Sequence, residues 1–336
     1  MKAWRVHETG EPGKVMRLQD VPEPEPGPGE LLVEVRAANI NFPDALLCLG
    51  RYQVRPPLPF TPGVELCGVV LAGEGAEAGT RVVAQPVLPS GAFAERTVVT
   101  ADTALPAPES LDDAEAAALY IGYQTGWFGL HRRARIRAGE TLLVHAAAGG
   151  VGSAAVQLGK AAGARVIGVV GGEAKAEAAR KLGCDLVVDR RTDDLVAAVK
   201  DATDGRGADV VYDPVGGDAY AKSVKCVAFE GRIVVVGFAS GAVPTPGLNH
   251  VLVKNYSILG LHWGLYQRKD PQAVRDCHTE LTALAASGAI KPLISERVSL
   301  DEAASAVQRV YDGVTTGRVV VLPGGTGDVE GGSAAG

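Results

Sequence analysis

The stretch Thr141-Leu-Leu-Val-His-Ala-Ala-Ala-Gly-Gly-Val-Gly152 constrains this chain more than any other. Its apolar run, Leu142, Leu143 and Val144, reads as a buried strand. The run breaks at Ala147-x-Gly149-x-x-Gly152, and a helical pattern follows at once through Ala155, Val156, Leu158, Gly159 and Ala162. This is the dinucleotide fingerprint G-x-G-x-x-G with alanine in the first place. Gly149 lets the backbone approach a pyrophosphate, and Gly152 lets the helix pack closely on the strand. The N–H groups at the helix start, on Gly150, Val151 and Gly152, offer donors and a partial positive charge to the phosphates. Glycines alone would fit any turn. Here strand, turn and helix come in the order the motif requires.

Downstream, strand and helix signals alternate. Apolar, β-branched runs lie at Arg165–Val170, Leu186–Asp189, Ala208–Val215, Arg232–Gly237 and Tyr256–Leu261. Helical patterns fall between them at Glu173–Leu182, Asp193–Ala202 and Asp218–Val227, with Asp193 and Asp218 expected at helix starts. Six strands with four intervening helices predict a doubly wound parallel sheet over residues 123–260. The first 120 residues carry short β-like runs, Leu31–Ala37, Gly68–Leu71, Arg81–Ala84 and Ala92–Val99, punctuated by proline and glycine. They predict a partly open, barrel-like β domain, with Pro22–Gly29 as a stiff connector. Helices are expected at Pro271–Ser287 and Asp301–Tyr311. A last strand, Arg318–Leu322, should return to the first domain. The expected division is therefore 1–122 with 261–323, then 123–260, then a glycine- and alanine-rich flexible tail, 324–336.

Length and composition set outer limits. The 336 residues suffice for two domains, and 46% apolar with 21% charged residues suits a large core. A net charge of −6 argues against nucleic acid or an anionic membrane as partner. Five scattered cysteines (Cys48, Cys67, Cys184, Cys226, Cys277) read as thiols in a reducing compartment. The start, Met1-Lys2-Ala3-Trp4-Arg5, lacks a signal peptide's apolar core, so a cytoplasmic location is expected. Two uncharged stretches, Thr141–Gly159 and Ile233–Val253, are broken by polar residues, glycine or proline and do not read as membrane spans.

A β domain followed by a nucleotide domain resembles the medium-chain dehydrogenase/reductase superfamily, and in detail its zinc-free, zeta-crystallin-like quinone oxidoreductase branch. The matching segments are Asn39–Asp44, Gly50–Tyr52, Pro62–Gly68, Gly91–Glu95, Ala116–Gly126, His145–Gly152, Val211–Gly216 and Gly317–Pro323. The resemblance implies a GroES-like partly open β-barrel domain beside a Rossmann domain. Zinc enzymes of the superfamily place a Cys ligand where this chain has Asn41, and a His where Gly63-Val64-Glu65 has valine. No metal is therefore expected. Without a Lewis acid, oxidation of a simple alcohol is hard, whereas hydride delivery to a quinone or enone needs less help.

The strand Arg165–Val170 ends in Gly171-Gly172, without the carboxylate that an NAD-selective fold uses on the ribose. Lys175 follows, and the third strand ends Asp189-Arg190. In similar NADPH enzymes Gly171, Lys175 and the residue at Arg190 surround the 2′-phosphate; an arginine's planar fork suits that task. Glu173 and Asp189 argue the other way, and solvated surface charge is the competing reading. By resemblance, Thr125 lies near the nicotinamide ribose, Phe238, Ala239 and Ser240 face the nicotinamide, and Arg318 reaches the phosphates; a strand-edge charge fits Arg318 equally. Asn41 and Tyr52 match polar residues at the acceptor, where both can donate to a carbonyl oxygen. Asp44 matches too, with bracing of its loop as the alternative. His262, Trp263 and Tyr266 follow the last strand, where aromatics suit either a flat substrate or packing.

The expectation is an NADPH-dependent quinone oxidoreductase acting on a small-molecule quinone or enone, a homodimer by resemblance. An enoyl-thioester or enone reductase on the same scaffold is the first alternative. A non-catalytic crystallin-like or RNA-binding protein is the second, although no basic stripe for RNA is present.

Overall fold

The protein is described from a computed structural model, which covers residues 1–325 here. Residues 326–336 of the expected tail lie outside the described residues. In chain order the first strands are β1 (Lys2–Val6), β2 (Met16–Asp20), β3 (Glu30–Asn39), β4 (Leu66–Gly73), β5 (Arg81–Ala84), β6 (Arg96–Thr100) and β7 (Leu105–Pro106). Next come β8 (Thr141–His145), β9 (Arg165–Val170), β10 (Leu186–Asp189), β11 (Ala208–Asp213), β12 (Val227–Val235) and β13 (Ser257–Gly260). The last two are β14 (Ile294–Ser299) and β15 (Arg318–Leu322).

Two compact units result. One comprises Met1–Ala107, Glu296–Val314 and the chain from Val319; the other comprises Pro108–Ser295 and Thr315–Arg318. These joins differ from the expected ones at 122/123 and 260/261. The helix Asp113–Trp127 packs against the helices Gly150–Ala161 and Pro271–Ala286, so all three belong with the parallel sheet.

The second unit holds six strands in the order β10-β9-β8-β11-β12-β13, every neighbouring pair parallel. β8 is buried along its whole length, as is β9 after Arg165, so both faces of the sheet centre are covered. The chain first winds outward from β8 to β10, then crosses back to β11. That reversal leaves a crevice at the carboxyl ends of β8 and β11, where open α/β sheets bind ligands. Asp194, not Asp193, caps the helix Leu195–Ala202, accepting from the Val196 and Ala197 amides at 2.9 and 3.2 Å. Asp193 instead accepts from the Asp189 amide at 2.8 Å and closes the turn after β10. A helix at Leu248–Lys254 that the sequence pattern does not announce precedes β13.

In the first unit β3 is the hub. It pairs antiparallel with β4, with β6 and, through Asn39 and Ala38, with Val320 and Val321 of β15. The last strand thus joins this sheet as expected. Its core gathers Val33, Leu66, Phe60, Phe93, Val99 and Val319, all nearly inaccessible.

One partly buried ion pair ties β12 to the turn that leads into β8 in the second unit. Arg232 of β12 donates to both carboxylate oxygens of Glu140, at 2.8 and 2.9 Å, and to the carbonyl of Ala134 at 2.9 Å. Charge-assisted bonds of this kind contribute about 1.5–3 kcal/mol. Arg232→Met should therefore lower the unfolding free energy by roughly 2–3 kcal/mol in urea titrations. A loss below about 0.5 kcal/mol would assign the pair no structural weight.

Candidate cofactor site and a buried polar cluster

The fingerprint forms as its spacing demands. After β8 the chain turns through Ala146, which holds a left-handed φ of 51°, and the Gly149 amide donates to the Ala146 carbonyl at 2.8 Å. Gly149 is the N-cap of the helix Gly150–Ala161. A Cβ on Gly152 would run into the Ala146 carbonyl, so the helix is seated directly on the turn. On Gly149 a Cβ would meet only Ala146, its carbonyl oxygen at 3.1 Å. The amides of Gly150, Val151 and Gly152 open the helix and lack an intrahelical acceptor by geometry.

Arg318 is buried against this helix start. A Cβ on Gly150 would stand 2.6 Å from its guanidinium carbon, and one on Gly122 would overlap a terminal nitrogen. The backbone is held there by the Arg318 amide, which donates to the Leu293 carbonyl at 2.8 Å, and by the Gly317 amide on Ala148 at 2.7 Å. A buried cation thus sits at the positive end of a helix. The two fields add, and the arrangement would suit an anion. This location excludes the strand-edge reading of Arg318.

The second cationic cluster surrounds the turn after β9. The guanidinium of Arg190 lies along Gly171, where a Cβ would meet Nε at 3.1 Å, and that of Arg191 lies along Gly172. Lys175, on the first turn of the helix Glu173–Lys181, completes the group. Its ammonium is held below the usual lysine range by partial burial and by the charges of Arg190 and Arg191. Two carboxylates stand nearby, and the Arg191 amide, with the charges of Arg191 and Arg190, helps to hold that of Asp189 below the usual range. Asp189 accepts from the amides of Gly172 and Arg191, each at 3.0 Å, and Glu173 pairs with Arg180 at 2.7 Å. Arg191 escaped the sequence reading, although the Arg190-Arg191 doublet was visible there.

At the carboxyl ends of β11 and β12 the loop bearing Phe238, Ala239 and Ser240 is tied down. The Ala239 amide donates to Pro214 at 3.1 Å and that of Ser240 to Val215 at 3.0 Å. Asp213 braces the turn beneath by accepting from Val215 and Gly216, both at 2.9 Å. Thr125 is buried near the end of its helix. Trp263 and Tyr266 take packing roles: Trp263 meets Tyr120 edge-on with centroids 5.4 Å apart, and Tyr266 lies 4.2 Å from Phe128.

The first unit contains a cluster of four buried polar residues, Asn39, Asn41, Asp44 and Glu65. Asn41 precedes the helix Phe42–Cys48, and its amide N–H donates to Asp44 Oδ2 at 2.7 Å. Asp44 Oδ1 accepts from the Gly63 amide at 2.9 Å. The Asn41 side chain donates to Glu65 Oε1 at 2.9 Å and to the Asn39 carbonyl at 3.3 Å, and Asn39 Nδ2 donates to the same Glu65 oxygen. Both Asn41 hydrogens are therefore used inside the cluster. In this structure Asn41 thus acts as a strut, and its expected role at an acceptor's carbonyl is not seen in these contacts. Asn39 and Glu65 were not singled out in sequence because only the fold brings them to Asn41. Tyr52 is half-buried against the same core, and burial, with the Asp44 charge, raises its phenol above the usual range. Among the described residues no group of three or more His, Cys, Asp or Glu could hold a metal ion.

Burial, with the nearby Glu65 charge, pushes the Asp44 carboxyl from 3.8 to about 7 against the pull of its backbone N–H donors. The folded protein thus holds this proton to a higher pH than the unfolded chain. The stability this provides is full below about pH 3.8 and is lost as pH rises through about 7. The stability difference between wild type and Asp44→Ala should fall across that window, by at most ~1.4 kcal/mol per pH unit for one proton. A difference that grows with pH would mean that the carboxylate is the favoured form.

The chain matches two family profiles, an alcohol dehydrogenase GroES-like domain over residues 27–109 and a zinc-binding dehydrogenase domain over residues 150–279. It is 37% identical over 331 residues to a quinone oxidoreductase-like protein 2 homolog of Nematostella vectensis, covering 95% of this chain and 89% of that one. It is 36% identical to part of the phthioceranic/hydroxyphthioceranic acid synthase of Mycobacterium tuberculosis, covering 88% of this chain and 14% of the synthase. Among solved structures, the quinone oxidoreductase of Escherichia coli complexed with NADPH superposes with a TM-score of 0.88 at 33% identity, covering 96% of this chain and 100% of that one. With its GroES-like unit, Rossmann-type sheet and these relatives, the chain belongs to the zinc-free quinone oxidoreductase branch of the medium-chain dehydrogenase/reductase superfamily.

Proposed function

We propose that the protein is an NADPH-dependent reductase of quinones or related enones. The observation that carries the reading is the triad Lys175, Arg190 and Arg191 at a strand end whose one carboxylate, Asp189, accepts from the Gly172 and Arg191 amides. Three like charges held together suit the 2′-phosphate that distinguishes NADPH from NADH. Arg318 and the amides of Gly150, Val151 and Gly152 suit the pyrophosphate, and the cradle is one that a Cβ on Gly150 would fill. Thr125 and the tethered loop Phe238-Ala239-Ser240 would hold the nicotinamide half.

When bound, the dinucleotide supplies a hydride to the acceptor. The chain's own part is to bind, orient and exclude water. Tyr52 is the donor we retain for the acceptor's carbonyl oxygen, with its phenol protonated throughout the neutral range because burial raises its pKa. Asn41, Asp44 and Glu65 fix the backbone leading into the helix Phe42–Cys48. A quinone suits such a site because its reduced anion is stabilised over the ring and solvent can supply the proton. The proposal includes a homodimer, tested by sedimentation equilibrium, and a reducing cytoplasm in which five free thiols persist.

The match to part of a mycobacterial acid synthase favours enoyl-thioester reduction as a second reading. NADPH oxidation assayed against quinones, enones and enoyl-CoA substrates separates the two. Turnover of quinones or simple enones is expected, and Tyr52→Phe should lower it by no more than ~10²- to 10³-fold without a new pH limb. Turnover confined to enoyl thioesters would establish the alternative.

Alanine at Lys175, Arg190 or Arg191 should each weaken NADPH binding roughly 10- to 100-fold, the scale of one charged hydrogen bond. NADH binding should change little. Equal losses for both nucleotides, measured by fluorescence titration, would show that the triad does not read the phosphate.

A further inference from the structure

The loop proposed to face the nicotinamide rests on another turn. That turn, residues 214–217, joins β11 to the helix Asp218–Cys226. A Cβ on Gly216 would stand 3.0 Å from the Phe238 ring, and one on Gly217 would stand 3.0 Å from Ser240 Oγ. The Gly217 amide also donates to the Ala242 carbonyl at 3.1 Å. Both glycines hold left-handed backbone, with φ of 69° and 51°. A turn made of such residues is pliant in itself, so what fixes it lies at its ends.

His145 stands at both ends. It closes β8, which pairs with β11 at Leu142 and Val210, Leu143 and Val211, and Val144 and Tyr212. The next step of that register sets His145 beside Asp213, and the Asp213 charge acts on the imidazole. Asp213 opens the turn by accepting from the Val215 and Gly216 amides. Beyond the turn, His145 Nε2 lies 2.7 Å from Ser223 Oγ on the helix Asp218–Cys226. The Ser223 hydroxyl gives its one hydrogen to the Ala219 carbonyl at 2.7 Å, so its oxygen accepts from the Nε2–H. His145 and Ser223 are both buried, where a lost partner is costly. Burial also holds the imidazole below the usual histidine range; the Asp213 charge pulls the other way, and Lys222 adds to the lowering. The ring is therefore neutral above about pH 7.

We infer that His145 is a positioning residue for the nicotinamide half of the cofactor. Bonded to Ser223 and set beside Asp213, it fixes the turn on which Phe238 and Ser240 rest. The inference rests on the NADPH-dependent reading above.

Three variants of the full chain test it. His145→Met and Ser223→Ala each remove the bond, from opposite sides. His145→Gln is neutral and carries an N–H that reaches the place of Nε2. NADPH and 2′,5′-ADP, which lacks the nicotinamide half, are titrated against each by calorimetry. Thermal unfolding establishes that each variant folds, and Ser223→Ala alone suffices where the larger change at His145 unfolds the chain.

His145→Met and Ser223→Ala should bind NADPH about 10-fold more weakly, the scale of one hydrogen bond, and 2′,5′-ADP as the wild type does. His145→Gln should stay close to the wild type for both. Equal losses for the two nucleotides, unchanged NADPH binding, or a glutamine no better than methionine would overturn the inference alone. A wild type that binds neither nucleotide would overturn the cofactor reading and this inference with it.

Discussion

The start of the helix Gly150–Ala161 is where the second unit concentrates positive potential, and the rest of that unit is arranged around it. A guanidinium has been buried against the one helix end that repels it, with Gly122 and Gly150 stripped of side chains to make room. On an anion bound there the amides and the guanidinium would act together. The demand for a Cβ-free seat also explains Gly152, which lets the helix descend onto the turn at Ala146. The parallel sheet serves this end by bringing the fingerprint and the tethered loop after β12 to the same edge.

The second cluster adds selectivity to this binding. A strand end occupied by a free carboxylate would repel a 2′-phosphate. Here Asp189 survives in the sequence but is bonded to the backbone of Gly172 and Arg191. The residue that could have signalled NADH instead shapes the turn that carries the arginines. In the first unit a comparable conversion has taken place around Asn41, which the resemblance sets at a zinc ligand's position. Its amide is bonded to Glu65 and Asn39, so the position now braces the loop.

The parallel sheet was legible because β8, β9 and β11 are largely buried apolar runs and β10 a half-buried one; β9 and β10 have the bounds read from the sequence. The helix Leu248–Lys254 was not, because Leu248, Leu252 and Val253 are exposed and the pattern has no buried face to reveal. The helix Asp113–Trp127 has apolar residues all round, which hides its periodicity and misled the placement of the domain join. Among site residues, Gly149 to Gly152, Gly171, Lys175 and Arg190 could be named because local turn chemistry dictates them. Glu65 and Asn39 acquire their meaning only through partners 24 to 26 residues away.

The central physical claim is that Lys175, Arg190 and Arg191 form a receptor for a phosphate on the adenosine ribose. Isothermal titration of the wild-type protein with 2′,5′-ADP and with 5′-AMP tests it without the nicotinamide or any turnover. The 2′-phosphorylated nucleotide should bind at least 10-fold more tightly, the scale of one charged hydrogen bond. Its advantage should shrink as salt is raised, because these charges are partly exposed to solvent. Equal affinity for the two nucleotides at low salt would contradict the claim.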